Sequence, residues 1–199
     1  MSKPFVHLHV HTEYSLLDGA IRTKDLARKV SGWENKAVAM TDHGVMYGAV
    51  EFYENCKAEG VRPILGCETY VSPDGINSRT KKRSNHLLLL AENNTGWHNL
   101  IKLISIANTQ GMYYKPRIDH TLLATYHEGI IASSACLAGE IPQFILSDNI
   151  EAAEHCATHY RDVMGDGNFF LEVMPNSLPE QKKVNAEILK ISKRTGIPI

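Results

Sequence analysis

Seven short apolar runs, at residues 5–10, 37–41, 63–71, 87–91, 129–133, 169–173 and 197–199, alternate with segments of helical period. This alternation constrains the chain more than any other feature, because short apolar runs must find backbone partners in a sheet. Helices are predicted at 24–31, 48–58, 95–108, 150–164 and 180–194. Thr23, Asn94 and Asn149 stand where N-caps belong, Pro179 opens the last helix, and Gly60 and Gly196 follow helix ends. Strands alternating with helices predict an α/β fold with parallel βα units, and seven repeats predict a barrel rather than an open sheet. Functional side chains in such barrels gather at the C-terminal ends of the strands. The run Ile197-Pro198-Ile199 reads as the entrance to a strand, so the chain is expected to be a piece of something longer.

With 199 residues, 43% hydrophobic and 22% charged, the chain can bury the core of one globular domain. No apolar run approaches the roughly 20 residues of a membrane span, and the first residues lack a signal-peptide layout, so a cytoplasmic location is expected. A formal net charge of -1 does not advertise a general nucleic-acid-binding surface. The one basic cluster, Arg79, Lys81, Lys82 and Arg83, follows Pro73-Asp74-Gly75. It reads either as a solvated loop or as a phosphate-backbone contact. Cys56, Cys67, Cys136 and Cys156 form no Cys-x-x-Cys pair, which rules out a zinc ribbon. A metal here must be held by histidines and carboxylates, with room for a single thiolate.

The first run, Phe5-Val6-His7-Leu8-His9-Val10-His11, places aliphatic residues on one face of a strand and three histidines on the other. Imidazoles at two-residue spacing in a barrel interior are costly unless each finds a hydrogen bond or a metal. Asp18 follows on the loop beyond them. The next strand closes on Asp42-His43-Gly44 and the third carries Gly66-Cys67-Glu68. Each is weak alone, but three successive strands deliver imidazoles and carboxylates to one rim, the donor set of divalent zinc, manganese or iron sites. His98, His155 and His159 lie on predicted helices, and His120 and His127 in a connecting region, without such a pattern.

These motifs, in this order, resemble the PHP (polymerase and histidinol phosphatase) domain, in the branch found in bacterial DNA polymerase III alpha subunits. His9-Val10-His11-Thr12-Glu13-Tyr14-Ser15 with Asp18-Gly19 resembles the first family motif, Thr41-Asp42-His43-Gly44 the second and Gly66-Cys67-Glu68 the third. The stretches 41–66, 86–105 and 130–142 are similar to the polymerase branch. The resemblance implies a distorted seven-stranded βα (TIM-like) barrel, cut at the start of its last strand. It implies a divalent metal site, zinc or manganese, of up to three ions, with His9, His11, Asp18, His43, Glu68, His86 and Cys136 as ligands. Glu68 would bridge two ions, and a closing Asp-x-His is expected beyond Ile199. His86 is assigned on the resemblance alone, since it opens its apolar run rather than closing it. A buried inert thiol is the other reading of Cys136, and His7 reads as packed or as supporting a ligand.

The resemblance further implies a part in DNA replication within a longer DNA-directed DNA polymerase, a nucleotidyltransferase whose catalytic aspartates lie downstream. The domain itself would be a phosphodiesterase of 3′-5′ exonuclease type, or a scaffold for a separate proofreading exonuclease subunit and other replicase subunits. DNA is the expected partner and a membrane is not. A free-standing phosphatase acting on a small phosphate monoester is the alternative.

Overall fold

The computed structural model describes residues 5–34, 36–80 and 84–199. Its helices are α1 (Thr23–Ser31), α2 (Ala49–Ala58), α3 (Asn94–Thr109), α4 (His120–Tyr126), α5 (Glu140–Leu146), α6 (Ile150–Met164) and α7 (Pro179–Thr195). The strands are β1 (Ala37–Met40), β2 (Arg62–Val71), β3 (Asn85–Ala91), β4 (Arg117–Ile118), β5 (Ile130–Ser133) and β6 (Phe169–Phe170). They form one six-stranded sheet in the order β1-β2-β3-β5-β6, with β4 paired to β2 off that path. Among the described residues no helix is long and apolar enough to cross a membrane.

The α/β expectation holds, but the sheet is mixed and does not close into the expected seven-stranded barrel. β1 pairs with β2, and β5 with β6, in parallel across helical crossovers. No helix lies among the described residues between β2 and β3, and that pair is antiparallel, as is β3 with β5. The first and last apolar runs form no named strand but lie along the two edges. The N–H groups of Ala39 and Thr41 donate to the carbonyls of His7 and Val10, and that of Leu171 donates to Pro198, all at 2.8–2.9 Å.

Two apolar cores flank the sheet. One joins α1, β1 and α2 through Val30, Val38, Met40 and Phe52, and the larger joins β2, β3, β5 and β6 to α3, α5, α6 and α7 through Leu89, Leu100, Ile130, Tyr160 and Ile188. Each such side chain contributes about 1.5–3 kcal/mol by leaving water.

Local signals placed most helix ends. The Asn149 side chain accepts from the Ala152 N–H, Pro179 starts α7, and Gly196, at φ 74°, ends it. Two expected caps shift. Asn93, not Asn94, caps α3 by accepting from the Gly96 N–H, and the Thr23 hydroxyl instead donates to the Glu51 carboxylate, leaving α1 without a side-chain cap. All four cysteines are free. Of the basic cluster, Arg79 is described, while Lys81, Lys82 and Arg83 lie outside the described residues.

Candidate metal centre

Glu68 is the hub. It sits on β2 with 1% exposure, and five side chains converge on its carboxylate. Oε1 lies 3.2 Å from His9 Nε2 and 3.0 Å from His86 Nδ1, and accepts from the Cys136 thiol at 3.5 Å. Oε2 lies 2.5 Å from His43 Nδ1 and 3.8 Å from His11 Nε2. The His11 and His43 rings stack with centroids 4.0 Å apart, and His43 Nε2 reaches Asp18 Oδ2 at 3.0 Å. All seven side chains expected at the site therefore meet in one cluster.

Each arrives by a different local device. β1 ends just before Thr41-Asp42-His43, so His43 leaves the sheet at its C-terminal end, its backbone bridged to Glu68. His86 is the second residue of β3, and because β3 runs antiparallel to β2, that start lies at the rim where β1 ends. Its N–H donates to the Ala138 carbonyl at 2.9 Å, and its Nδ1 lies 3.4 Å from Cys136 Sγ. Cys136 follows β5 through Ala135, whose left-handed φ of 57° turns the chain back toward the rim. The turn closes tightly, since a Cβ at Gly139 would stand 2.1 Å from the Ser134 carbonyl oxygen.

The histidine strand departs from simple alternation. The chain bends at His9, and His7 leaves the cluster to pack on Trp33 with ring centroids 5.2 Å apart. Asp42, the acid of the Asp-His pair, is not among the side chains around Glu68 and is fully buried. Its carboxylate accepts from the Thr12 N–H at 2.6 Å, the Thr12 hydroxyl at 2.7 Å and the Ser15 hydroxyl at 2.7 Å. It thereby clamps the segment after the histidines to the end of β1.

Glu172 was missed in the sequence. Its Oε1 lies 2.7 Å from His9 Nδ1, while Oε2 accepts from the Ser133 hydroxyl at 2.5 Å. The available signal was its place near the close of the sixth apolar run, the position type that singled out the other acids.

The electrostatics follow from one buried carboxylate among imidazoles. Burial works against the charge of Glu68, but His43, His86 and His9 outweigh it and hold the carboxyl far below the usual range. Burial likewise pushes His9 down, yet hydrogen bonds to Glu172 and Glu68 raise it to about 9. His43 is raised by its contact with Glu68, whereas His11 is lowered by burial and by the neighbouring His43. Burial, with the Glu68 charge, pushes the Cys136 thiol up to about 12.

The donor set fits a divalent cation. His43 Nδ1 and Glu68 Oε2 are buried, face each other at 2.5 Å, and have no hydrogen-bond partner of workable geometry. Buried polar atoms of native proteins are rarely left so. Two groupings bring ligand atoms within 4.8 Å of one another, His9/His11/Glu68 and His43/Glu68/His86, and Glu68 belongs to both. Asp18 and Cys136 touch members of these groupings from outside.

The chain belongs to the PHP domain family, which it matches over residues 7–176. Curated relatives at 40–46% identity include DNA polymerase III alpha subunits. That of Treponema pallidum is 46% identical over 199 residues, covering 98% of this chain and 17% of the relative. That of Aquifex aeolicus is 42% identical over 209 residues, covering 100% and 18%. That of Thermus aquaticus is 44% identical over 200 residues, covering 97% and 16%. The chain thus spans less than a fifth of the length of these relatives. In fold it is similar to a candidate metal-dependent phosphoesterase from Bifidobacterium adolescentis, with a TM-score of 0.50 at 15% identity, over 96% of this chain and 84% of that one.

Proposed function

We propose that this domain holds divalent cations, zinc or manganese, through His9, His11, Asp18, His43, Glu68, His86 and Cys136, and hydrolyses phosphoester bonds. The observation that carries the reading is the sharing of Glu68 by two groupings of imidazoles, which suits a carboxylate bridging two ions. Clustered divalent ions stabilise the attacking and leaving oxygens of a phosphoester displacement and acidify a bound water. The chain's own residues orient that chemistry. Glu172 engages His9 Nδ1 and so leaves Nε2 for the Glu68 side of the ring. Asp18, with a side chain 58% exposed, holds His43 at the solvent mouth, where a substrate enters.

Likeness to DNA polymerase III alpha subunits supports a 3′ DNA end as the substrate. It also supports a place in a cytoplasmic replicase beside a proofreading exonuclease subunit. The test is His9→Ala combined with His11→Ala, with bound zinc and manganese counted by elemental analysis and hydrolysis followed on a 3′-labelled oligonucleotide. Loss of metal and of product together is expected, and equal metal content in both proteins would remove the reading.

A second expectation concerns Glu172. Substitution Glu172→Ala frees His9 to rotate and leaves the Ser133 hydroxyl without its acceptor. Zinc affinity is expected to fall by about 10- to 100-fold, the usual effect of removing a residue that orients a ligand. Competition against a chromophoric chelator measures it, and unchanged affinity would show that His9 needs no such support.

A further inference from the structure

Beside the Glu68 centre stands a ridge of aromatic rings and cations that the metal chemistry does not use. β4 pairs with the end of β2 so that Arg117 lies opposite Tyr70, two residues beyond Glu68 on the same strand face. The Tyr70 ring meets His86 edge-on at 5.1 Å and lies 6.3 Å from His43. Lys115 Nζ lies 5.1 Å from the centroid of that same ring. The ridge is therefore a wall of the site.

It is also firmly built. Pro116 packs so close to Gly44 that a Cβ there would be 2.8 Å away, and the Tyr113 N–H donates to the Lys115 carbonyl at 3.1 Å. Arg117, 1% exposed, donates to the carbonyls of Gly111, Ile76 and Ser78 and to the Ser72 hydroxyl, all of them neutral. Its guanidinium lies 5.0 Å from the centroid of the Tyr113 ring, and that of Arg79 lies 5.4 Å from the same centroid. The described lysine and arginine ion pairs all lie elsewhere, so no described carboxylate pairs with Arg79, Lys115 or Arg117. Tyr114, at a left-handed φ of 61°, presents a ring 63% exposed.

We propose that Arg79, Tyr113, Tyr114 and Lys115 form a track for a single-stranded polynucleotide leading to the Glu68 centre. Exposed rings stack bases of any sequence and adjacent cations take the phosphates between them. A small phosphate monoester would place its one phosphate at the centre and leave the ridge unused. The inference rests on the phosphoesterase reading and narrows its substrate class to strands of several nucleotides.

The test is binding of a fluorescein-labelled oligo(dT) by anisotropy, in chelator so that no hydrolysis occurs. Tyr114→Gly combined with Lys115→Gln suits it, because glycine accepts the positive φ and both side chains are exposed. Affinity is expected to fall about tenfold or more, with a shallower salt dependence, while Tyr114→Phe with Lys115→Arg restores it. Equal affinity of wild type and variant, no wild-type binding, or a blunt duplex bound as tightly as the single strand would each overturn the track. Strand binding lost in the variant, with metal-loaded wild type inert on the strand, would keep the track and remove the phosphoesterase reading. Hydrolysis by wild type with equal affinities would do the reverse.

Discussion

Glu68→Gln is expected to empty both cation groupings at once. The substitution keeps the side chain's shape and removes one negative charge from a position 1% exposed. That charge is the only carboxylate common to His9/His11/Glu68 and His43/Glu68/His86. An amide is a poor ligand for zinc and cannot bridge two ions as a carboxylate does. Bound metal should fall to near zero, and phosphoester hydrolysis by more than about a hundredfold, the upper end for residues that merely orient a ligand. Removing one histidine should instead leave the other grouping loaded. Elemental analysis of Glu68→Gln beside His86→Ala separates the two cases. If Glu68→Gln keeps as much metal as His86→Ala, Glu68 does not bridge.

The second large effect is structural and lies at Asp42, the residue before His43. Asp42→Ala removes the acceptor of three hydrogen bonds, from the Thr12 N–H, the Thr12 hydroxyl and the Ser15 hydroxyl. Thr12, Ser15 and Asp42 are all buried, so the stranded donors cannot turn to water. A cost of about 3–5 kcal/mol follows from leaving donors to a buried charge unmade. For a chain of this size, that is a fall of about 6–20 °C in the melting temperature. The segment from Thr12 to Asp18 would also come loose from the end of β1 and take Asp18 away from His43. Calorimetry measures the first effect and metal titration the second. A melting temperature within a degree of wild type would mean that Asp42 does not clamp this segment. Asp42→Asn, which keeps an acceptor for the Thr12 N–H, should fall between.

Most helices and strands, and the imidazoles and carboxylates of the cluster, were legible in the sequence because each depends on neighbours a few residues apart. Alternation of apolar runs with helical segments located β1, β2, β3, β5 and β6 and five of the seven helices. Asn149 and Gly196 marked helix ends because a cap is a contact within one turn. His9, His11, Asp18, His43 and Glu68 followed from placing imidazoles and carboxylates at or just beyond strand ends, whereas His86 and Cys136 came from the family resemblance.

Only the tertiary structure decided which strands run which way and which acids face the clustered imidazoles. His86 was out of place on an all-parallel reading and falls into place because β3 runs antiparallel to β2. Asp42 and Glu172 look alike in sequence, each an acid near the end of an apolar run. Asp42 turned inward because Thr12 and Ser15 offered it three donors, while Glu172, 163 residues from His9, turned to that imidazole across the rim. Lys115 and Arg117 carried no signal until β4 set Arg117 opposite Tyr70 and Lys115 over its ring. Periodicity and caps are short-range and are written in adjacent residues, whereas contacts between segments far apart in the chain exist only once the sheet has formed.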